Sequence, residues 1–270
     1  MPNIPQRHAR RTFTAGLLAM AAGVATGLFA PFAMAQPGAF TLAAASDLKF
    51  AVEEVAAQFE KDTGHKPRLV FGSSGNFYSQ ILQGAPFHLF MSADEGFVFK
   101  LADAGKTRDR GKLYAVGRIG LMVPHGSPLK ADGELKDLAA ALQDGRLKKF
   151  AIANPEHAPY GMRAKEALQH AGLWEAIGAK LVLGENISQA AQFATSGSTQ
   201  GGIIAQSLAL APAVGRLGSF ALIPQAWHQQ LTQRMVLTKD APPAAAQFYE
   251  YLGSDAAQTV MKRYGFDMPK

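Results

Sequence analysis

The chain has 270 residues, no cysteine, and 27 Lys and Arg against 21 Asp and Glu, which gives a formal net charge of +6. Three of the basic residues and none of the acidic ones lie in residues 1–35, so residues 36–270 carry 24 basic against 21 acidic residues, a net charge of +3. So small an excess argues against nucleic-acid binding, and the lack of cysteine excludes disulfides and thiol chemistry.

The first 35 residues are typical of an export signal. A basic start that includes Arg7 is followed by an uncharged stretch over residues 12–35, rich in Ala, Gly, Leu and Phe, which ends in Ala33-Met34-Ala35. This order is typical of a cleaved secretory signal. We therefore expect export to the periplasm, with Gln36 as the new N-terminus.

Two further features of this segment bear on how it is used. A membrane anchor is the alternative to cleavage, because the apolar run is long enough to consider, but Pro31 interrupts it. Arg10-Arg11-Thr12-Phe13 resembles a twin-arginine signal, which would imply export in a folded state.

Short apolar segments alternate with helical patterns along the rest of the chain. Strands are predicted at residues 40–44, 68–71, 89–91, 114–123, 150–153, 181–183, 202–205, 220–223 and 234–238. Helices are predicted at residues 48–63, 76–82, 95–104, 135–142, 163–171, 188–195, 244–252 and 255–264. This alternation favours an α/β fold with largely parallel sheets.

Two serine-containing segments each join a predicted strand to a predicted helix. The first is Ala43-Ala44-Ala45-Ser46-Asp47 and the second is Val70-Phe71-Gly72-Ser73-Ser74-Gly75-Asn76. The first N–H groups of a helix lack partners within it, and together with the helix dipole they attract anions. Two such segments facing one cleft would form a cage for a small oxyanion, although serine at a helix start also commonly serves as a plain cap.

Other kinds of site find less support in the sequence. The histidines after residue 35 form no i, i+4 pair, which argues against a histidine metal site, and neither a phosphate loop nor a dinucleotide motif is present. Gly72-Ser73-Ser74-Gly75 is not a G-x-S-x-G elbow, but it resembles the serine-rich strip of amidase-signature enzymes. A periplasmic serine hydrolase that uses Ser73 or Ser74 therefore stays open as an alternative.

A series of short motifs runs in order along residues 36–270. These are Ala43-Ala44-Ala45-Ser46, Gly72-Ser73-Ser74-Gly75-Asn76, Gly84-Ala85-Pro86-Phe87, Leu89-Phe90-Met91-Ser92-Ala93-Asp94, and the segments 154–161, 164–168, 248–252 and 262–266. The ordered set resembles the periplasmic molybdate-binding proteins of ABC transporters. The resemblance implies a two-lobed periplasmic-binding-protein fold that closes like a hinge on a ligand, with residues 36–118 plus 225–270 as lobe I and residues 119–224 as lobe II.

The resemblance also implies which residues hold the ligand. Proteins of this family bind a tetrahedral oxyanion with two serine hydroxyls and with backbone N–H groups, and Ser46 and Ser74 match the two serines. Tyr160 and Ile187 match positions that donate backbone N–H groups. These four residues would hold molybdate through its oxygens, with no cofactor, and the protein is not expected to be an enzyme.

The sequence departs from the family pattern at three places. Ala205 stands where the family often has a tyrosine whose hydroxyl donates to the ion, His88 replaces an aspartate, and Arg118 lies near the expected crossover between the lobes. We expect Arg118 or Tyr160 to compensate for the missing hydroxyl. The alternative is that Arg118 is an exposed hinge residue.

A cage made only of donors suits molybdate, a dianion whose four oxygens all accept. Phosphate carries a proton that would lack an acceptor, at about 1–3 kcal/mol, whereas sulfate would be excluded by size alone. About five to seven donors, at about 1.5–3 kcal/mol each, match a Kd between micromolar and nanomolar. We expect an exported monomer that captures molybdate, and also tungstate, for the membrane permease of an ABC importer; the alternatives are a binder of another oxyanion or small organic anion and the hydrolase named above.

Overall fold

The computed structural model describes residues 39–269, so the predicted export signal in residues 1–35 lies outside the described residues. The strands within this range form two five-stranded sheets. They are β1 (Phe40–Ala45), β2 (Pro67–Gly72), β3 (Leu89–Ser92), β4 (Lys112–Gly117), β5 (Ile119–Pro124), β6 (Phe150–Ala153), β7 (Leu181–Gly184), β8 (Gly202–Ala205), β9 (Gly218–Leu222) and β10 (Leu231–Leu237).

Helices lie between most of these strands. They are α1 (Lys49–Thr63), α2 (Ser74–Leu82), α3 (Glu95–Asp103), α4 (Lys136–Gln143), α5 (Pro159–His170), α6 (Trp174–Ile177), α7 (Ile187–Thr195), α8 (Gln206–Ala209), α9 (Pro212–Gly215), α10 (Pro243–Tyr251) and α11 (Asp255–Arg263), with 3-10 turns at Ser46–Leu48, Gly178–Lys180 and Gln225–Trp227. Within residues 39–269, no helix is both long and apolar enough to cross a membrane.

The chain crosses between the two sheets twice. The first sheet has the order β2-β1-β3-β10-β4 and the second has the order β7-β6-β8-β5-β9. The chain leaves the first sheet after β4 and returns to it only with β10. The α/β fold class with two sheets agrees with the prediction from the sequence.

The prediction of largely parallel sheets is wrong in detail, because both sheets are mixed. The pairs β1–β2, β1–β3, β6–β7 and β6–β8 are parallel, whereas β10 runs antiparallel to β3 and β4, and β5 runs antiparallel to β8 and β9. The antiparallel strands are those next to the crossings, where the chain enters a sheet from the other one.

The single strand predicted over residues 114–123 is two strands in different sheets. β4 pairs with β10, β5 pairs with β8 and β9, and Arg118 stands between them. A continuous apolar run does not reveal such a division, because both halves are buried and have strand-like composition.

The core lies where helices cover the sheets. The predicted apolar face of α1 is confirmed, since Ala51, Val52, Val55 and Phe59 are all buried. Their spacing of three and four residues places them on one side of the helix. This packing positions the N-terminal end of α1, and the 3-10 turn before it, at the end of β1.

Candidate anion-binding site

Four helical N-termini meet at one small cavity. They are the 3-10 turn that starts at Ser46 and the first turns of α2, α5 and α7. The cavity is lined by Ala45, Ser46, Asp47, Gly72, Ser73, Ser74, Ala93, Ala158, Pro159, Tyr160 and Ile187. Its volume is about 10 Å³, about the space that one water molecule needs. The structure is thus closed around the site, and a tetrahedral oxyanion enters only if the two sides separate.

The hydroxyl of Ser74 is free to donate to a ligand because a different serine caps the helix. Ser73 is the N-cap residue of α2, and its Oγ accepts the N–H of Asn76. Ser74 is the first helical residue, fully buried, and its Oγ accepts the N–H of Ala93 at 3.0 Å. The plain capping role weighed for Ser74 in the sequence therefore belongs to Ser73.

Ser46 connects the two sides of the cavity. Its hydroxyl donates to Oδ1 of Asn186 at 3.0 Å and accepts the N–H of Ser188 at 3.2 Å. The hydroxyl of Ser188 in turn donates to the Ser46 carbonyl at 2.8 Å. Ser46 makes no cap to its own turn, so it can exchange its bond to Asn186 for one to a bound anion.

Tyr160 and Ile187 bring backbone N–H groups to the cavity. Helix α5 has no side-chain cap and begins with Pro159, which lacks an N–H, so Tyr160 supplies the first N–H of that helix. Ile187 is the first residue of α7, directly after the N-cap Asn186. The helix predicted from Arg163 actually starts four residues earlier, which places Tyr160 inside the first turn and not in a loop.

The side chain of Tyr160 is directed away from a donor role. It is 2% exposed, and its hydroxyl donates to Oδ2 of Asp47 at 3.0 Å. Gln233 of β10 donates to the same Oδ2 at 2.8 Å and to the Tyr160 hydroxyl at 3.0 Å. Burial, followed by the charge of Asp47, raises the pKa of Tyr160 well above its ordinary value.

Asp47 was not singled out as a site residue in the sequence. It is fully buried, and among the described residues that line the cavity it is the only one with a charged side chain. Burial raises the pKa of Asp47 from its ordinary 3.8 to about 6, against the lowering effect of the hydrogen bonds from Gln233 and Tyr160 and of nearby backbone N–H groups. The available signal was an acidic residue directly after the first serine, inside an otherwise apolar segment.

The structure does not bring Arg118 into the cavity. Its Nη1 lies 3.8 Å from Oδ2 of Asp267, and Arg118 is not among the lining residues. Ala205 is buried at the end of β8 and does not line the cavity either. The expected compensation by Arg118 thus finds no support in the geometry.

His88, which stands for an aspartate in the family pattern, has a structural contact. Its Nδ1 accepts the N–H of Thr41 at 2.9 Å, and its backbone N–H donates to the Thr41 carbonyl. An imidazole nitrogen can accept this bond as a carboxylate would. The replacement therefore preserves the acceptor at this position.

Ser73, His157 and Glu185 lie side by side in space at the edge of the cavity. The Oγ of Ser73 lies 2.9 Å from Nδ1 of His157, whose Nε2 lies 3.8 Å from Oε2 of Glu185. The second distance is too long for a hydrogen bond. Within residues 39–269 no three His, Asp or Glu side chains are grouped to hold a metal ion.

The mixed two-sheet fold, with a small closed cavity at converging helix N-termini, is that of the periplasmic binding proteins. The chain belongs to the bacterial extracellular solute-binding protein family, whose model matches residues 40–267.

Three relatives bear on the type of solute. The chain is 37% identical over 237 residues to the molybdate-binding protein ModA of Azotobacter vinelandii, covering 87% of this chain and 92% of the relative. It is 36% identical over 260 residues to the molybdate-binding protein ModA of Rhodobacter capsulatus, covering 95% and 97%. The solved structure of the Azotobacter vinelandii periplasmic molybdate-binding protein superimposes with a TM-score of 0.77 at 28% identity, covering 86% of this chain and all of the other.

Proposed function

We propose that this protein captures molybdate outside the cytoplasmic membrane and delivers it to an ABC importer. One observation carries the proposal: two serine hydroxyls and the N-termini of four helical segments surround one cavity, and no Lys or Arg is among the described residues that line it. Neutral donors and helix dipoles favour an anion without an opposing charge. The molybdate-binding relatives support this choice of anion.

The donor set has the right size for useful affinity. Hydrogen bonds to a charged group are worth about 1.5–3 kcal/mol each, and a micromolar to nanomolar Kd needs about 8–12 kcal/mol. The hydroxyls of Ser46 and Ser74, with N–H groups from Ser46, Ser74, Tyr160 and Ile187, make about six donors. Together they are worth about 9–18 kcal/mol, which covers the requirement and, over most of this range, leaves a surplus for closing the two sides.

Size and protonation give the expected selectivity. Tungstate matches molybdate in charge and shape, and we propose it as a second ligand. Sulfate has shorter bonds, so donors placed for molybdate cannot all reach its oxygens. Hydrogen phosphate needs one acceptor, and a donor set leaves its proton unpaired at a cost of about 1–3 kcal/mol.

The division into lobes belongs to the same proposal. Residues 36–118 with 225–270 would move as one lobe and residues 119–224 as the other, hinged where the chain crosses between the sheets. Separation would release the ion to a membrane permease. We propose that a cleaved signal in residues 1–35 exports the chain, which then acts as a monomer, requires no cofactor and is not an enzyme.

A thermal-shift screen of residues 36–270 with oxyanions tests the binding function. Molybdate and tungstate at 100 times their Kd should stabilise the protein by about 2.7 kcal/mol, while sulfate and phosphate at the same concentration should have little effect. A larger shift with sulfate, phosphate or a small carboxylate would instead identify a binder of another anion.

Hydrolysis is a second candidate because Ser73, His157 and Glu185 lie next to one another. It is the weaker one, since Ser73 is 5% exposed and already caps α2, and the glutamate does not reach the imidazole. A serine-directed phosphonate probe distinguishes the two. Labelling of wild-type protein but not of Ser73→Ala would support a hydrolase, and no labelling is expected.

A further inference from the structure

A buried carboxyl group lies in a cavity built from anion-binding donors. Asp47 is 1% exposed and lines the cavity in the same turn as Ser46. Its Oδ2 accepts hydrogen bonds from Tyr160 and Gln233, while its Oδ1 is buried and accepts none of good geometry, although the N–H groups of Asp47 and Leu48 lie close enough to the carboxyl to lower its pKa. Like charges in a buried site repel each other strongly, so an ionised Asp47 and a bound dianion disfavour each other.

No cation offsets the charge of Asp47, since no Lys, Arg or His in residues 39–269 forms an ion pair with it. The titratable groups that face it are the phenols of Tyr160 on α5 and Tyr114 on β4. Gln233 on β10 is neutral, and neither α7 nor α8 has a charged residue. Charged residues on the surrounding elements are exposed or paired elsewhere: Lys49 with Glu53, Glu54 with Arg263, Lys112 with Glu250, Arg118 with Asp267, Arg163 with Asp94 and Glu166, Arg234 with Glu95, and the exposed Arg68.

We propose that Asp47 binds the oxyanion as a neutral carboxylic acid, whose Oδ1–H donates a hydrogen bond to one oxygen of the ion. The inference rests on the proposed function, because a fully deprotonated oxyanion requires every neighbouring group to donate. The proton comes from solvent when the carboxyl is ionised in the free protein, stays on Asp47 while the ion is bound, and returns to solvent on release. The acid also adds a donor where hydrogen phosphate needs an acceptor, so it strengthens the selection against phosphate.

The carboxyl group is already prepared for this role in the closed structure. Burial holds the pKa of Asp47 at about 6, so at pH 7 the requirement for a proton weakens binding by only about tenfold. Above that pKa the apparent Kd should rise about tenfold per pH unit, and below it the Kd should level off. An ordinary exposed aspartate would impose a penalty of about a thousandfold at the same pH.

Titration calorimetry of residues 36–270 with sodium molybdate, between about pH 6 and pH 8.5, tests the proposal. At pH 8, paired buffers of different ionisation enthalpy should reveal an uptake of about one proton per ion. In Asp47→Asn, whose neutral amide retains an N–H donor, the proton uptake and the pH dependence of Kd should both disappear. The exposed Asp62, near the end of α1, provides the matched control, and Asp62→Asn should keep the wild-type profile.

The outcomes separate the two claims. Molybdate binding by the wild-type protein with a constant Kd and no proton uptake would overturn the role of Asp47 and leave the proposed function standing. Tighter binding of phosphate than of molybdate at pH 8 would overturn the proposed function and the role of Asp47 together. No heat with molybdate at any pH would remove both proposals. The wild-type buffer comparison decides the matter even if Asp47→Asn does not fold.

Discussion

The serines at this site differ in what their hydroxyl groups do: one caps a helix, and the others are available to an anion. Ser73 caps α2, and its neighbour Ser74 has a buried hydroxyl whose oxygen accepts only the N–H of Ala93. Ser46 exchanges hydrogen bonds with Asn186 and Ser188 across the cavity. Ser74 thus keeps a proton that it could donate to an anion, whereas Ser46 would have to exchange its hydrogen bond to Asn186 for one to the anion.

Removal of the Ser74 hydroxyl should weaken molybdate binding by about 10- to 150-fold, because a hydrogen bond to a charged group is worth about 1.5–3 kcal/mol. Calorimetric titration of Ser74→Ala measures the change. Ser79, on the exposed side of the same helix, supplies the control, and Ser79→Ala should bind as the wild type does. An affinity for Ser74→Ala within twofold of wild type would place the ion elsewhere.

The ionisation of Asp47 should also appear in the stability of the free protein. The pKa of its carboxyl is about 6 in the folded state against an ordinary 3.8, so its favourable contribution is complete below about pH 4 and is lost as the pH rises through about 6. The loss amounts to about 3 kcal/mol. In urea unfolding, the free energy of unfolding of Asp47→Asn minus that of wild type should therefore rise by about 3 kcal/mol between pH 4 and pH 7.5.

The difference between the two proteins isolates this one group, because the other titrating residues are common to both. A difference in unfolding free energy that stays constant across this pH range would contradict a raised pKa for Asp47.

The sequence predicts the positions that face the cavity better than it predicts their chemistry. Ser46, Ser74, Tyr160 and Ile187 follow from serine junctions and from the family resemblance, and all four line the cavity. The burial of Asp47 depends on Tyr160 and Gln233, which are 113 and 186 residues away in the chain. No local pattern encodes contacts at that separation, and for the same reason the sequence alone does not decide between Arg118 as a ligand residue and Arg118 as a hinge residue.

Which N–H groups reach the cavity depends on the residue at which each helix starts, more than on the length of the helix. The N-cap residue of α5 is Ala158, which cannot cap, and Pro159 after it lacks an N–H, so Tyr160 supplies the first N–H. Asn186 caps α7, and Ile187 after it lines the cavity. The alternation of strands and helices could be predicted, because each segment carries its own periodicity. The break at Arg118 could not, since it depends on which sheet each half of an apolar run joins.

The first turn of α2 should tolerate no side chain at Gly75. A Cβ there would lie 2.5 Å from the carbonyl oxygen of His157, to which Gly75 donates its N–H at 3.0 Å. Alanine favours the helix itself, so Gly75→Ala should fold but close poorly. We expect the molybdate affinity to be about 5- to 150-fold weaker by calorimetry, from about 1–3 kcal/mol of steric strain in the closed form.

Gly178 offers the matched control, because nothing lies within 4 Å of a Cβ built there. Gly178→Ala should bind normally. Wild-type affinity in Gly75→Ala would mean that this contact is not needed for binding.

At the scale of the whole molecule, the two sheets meet through polar contacts around the site. Gly75 with His157, Tyr160 with Asp47, and Arg163 with Asp94 at 3.2 Å all join the part of the chain that carries the first sheet to the part that carries the second. Such contacts can be exchanged for water when the two sides separate. A closed cavity of about 10 Å³ is therefore consistent with a protein that opens to take up and release a small ion.

Anomalous diffraction at the molybdenum edge, from crystals of residues 36–270 grown with molybdate, would locate the bound ion. We predict one strong peak in the cavity between Ser46, Ser74, Tyr160 and Ile187, with oxygens about 2.7–3.0 Å from the serine hydroxyls and the helix N–H groups. A peak at another place, or an empty cavity in crystals saturated with molybdate, would show that these four residues do not bind the ion.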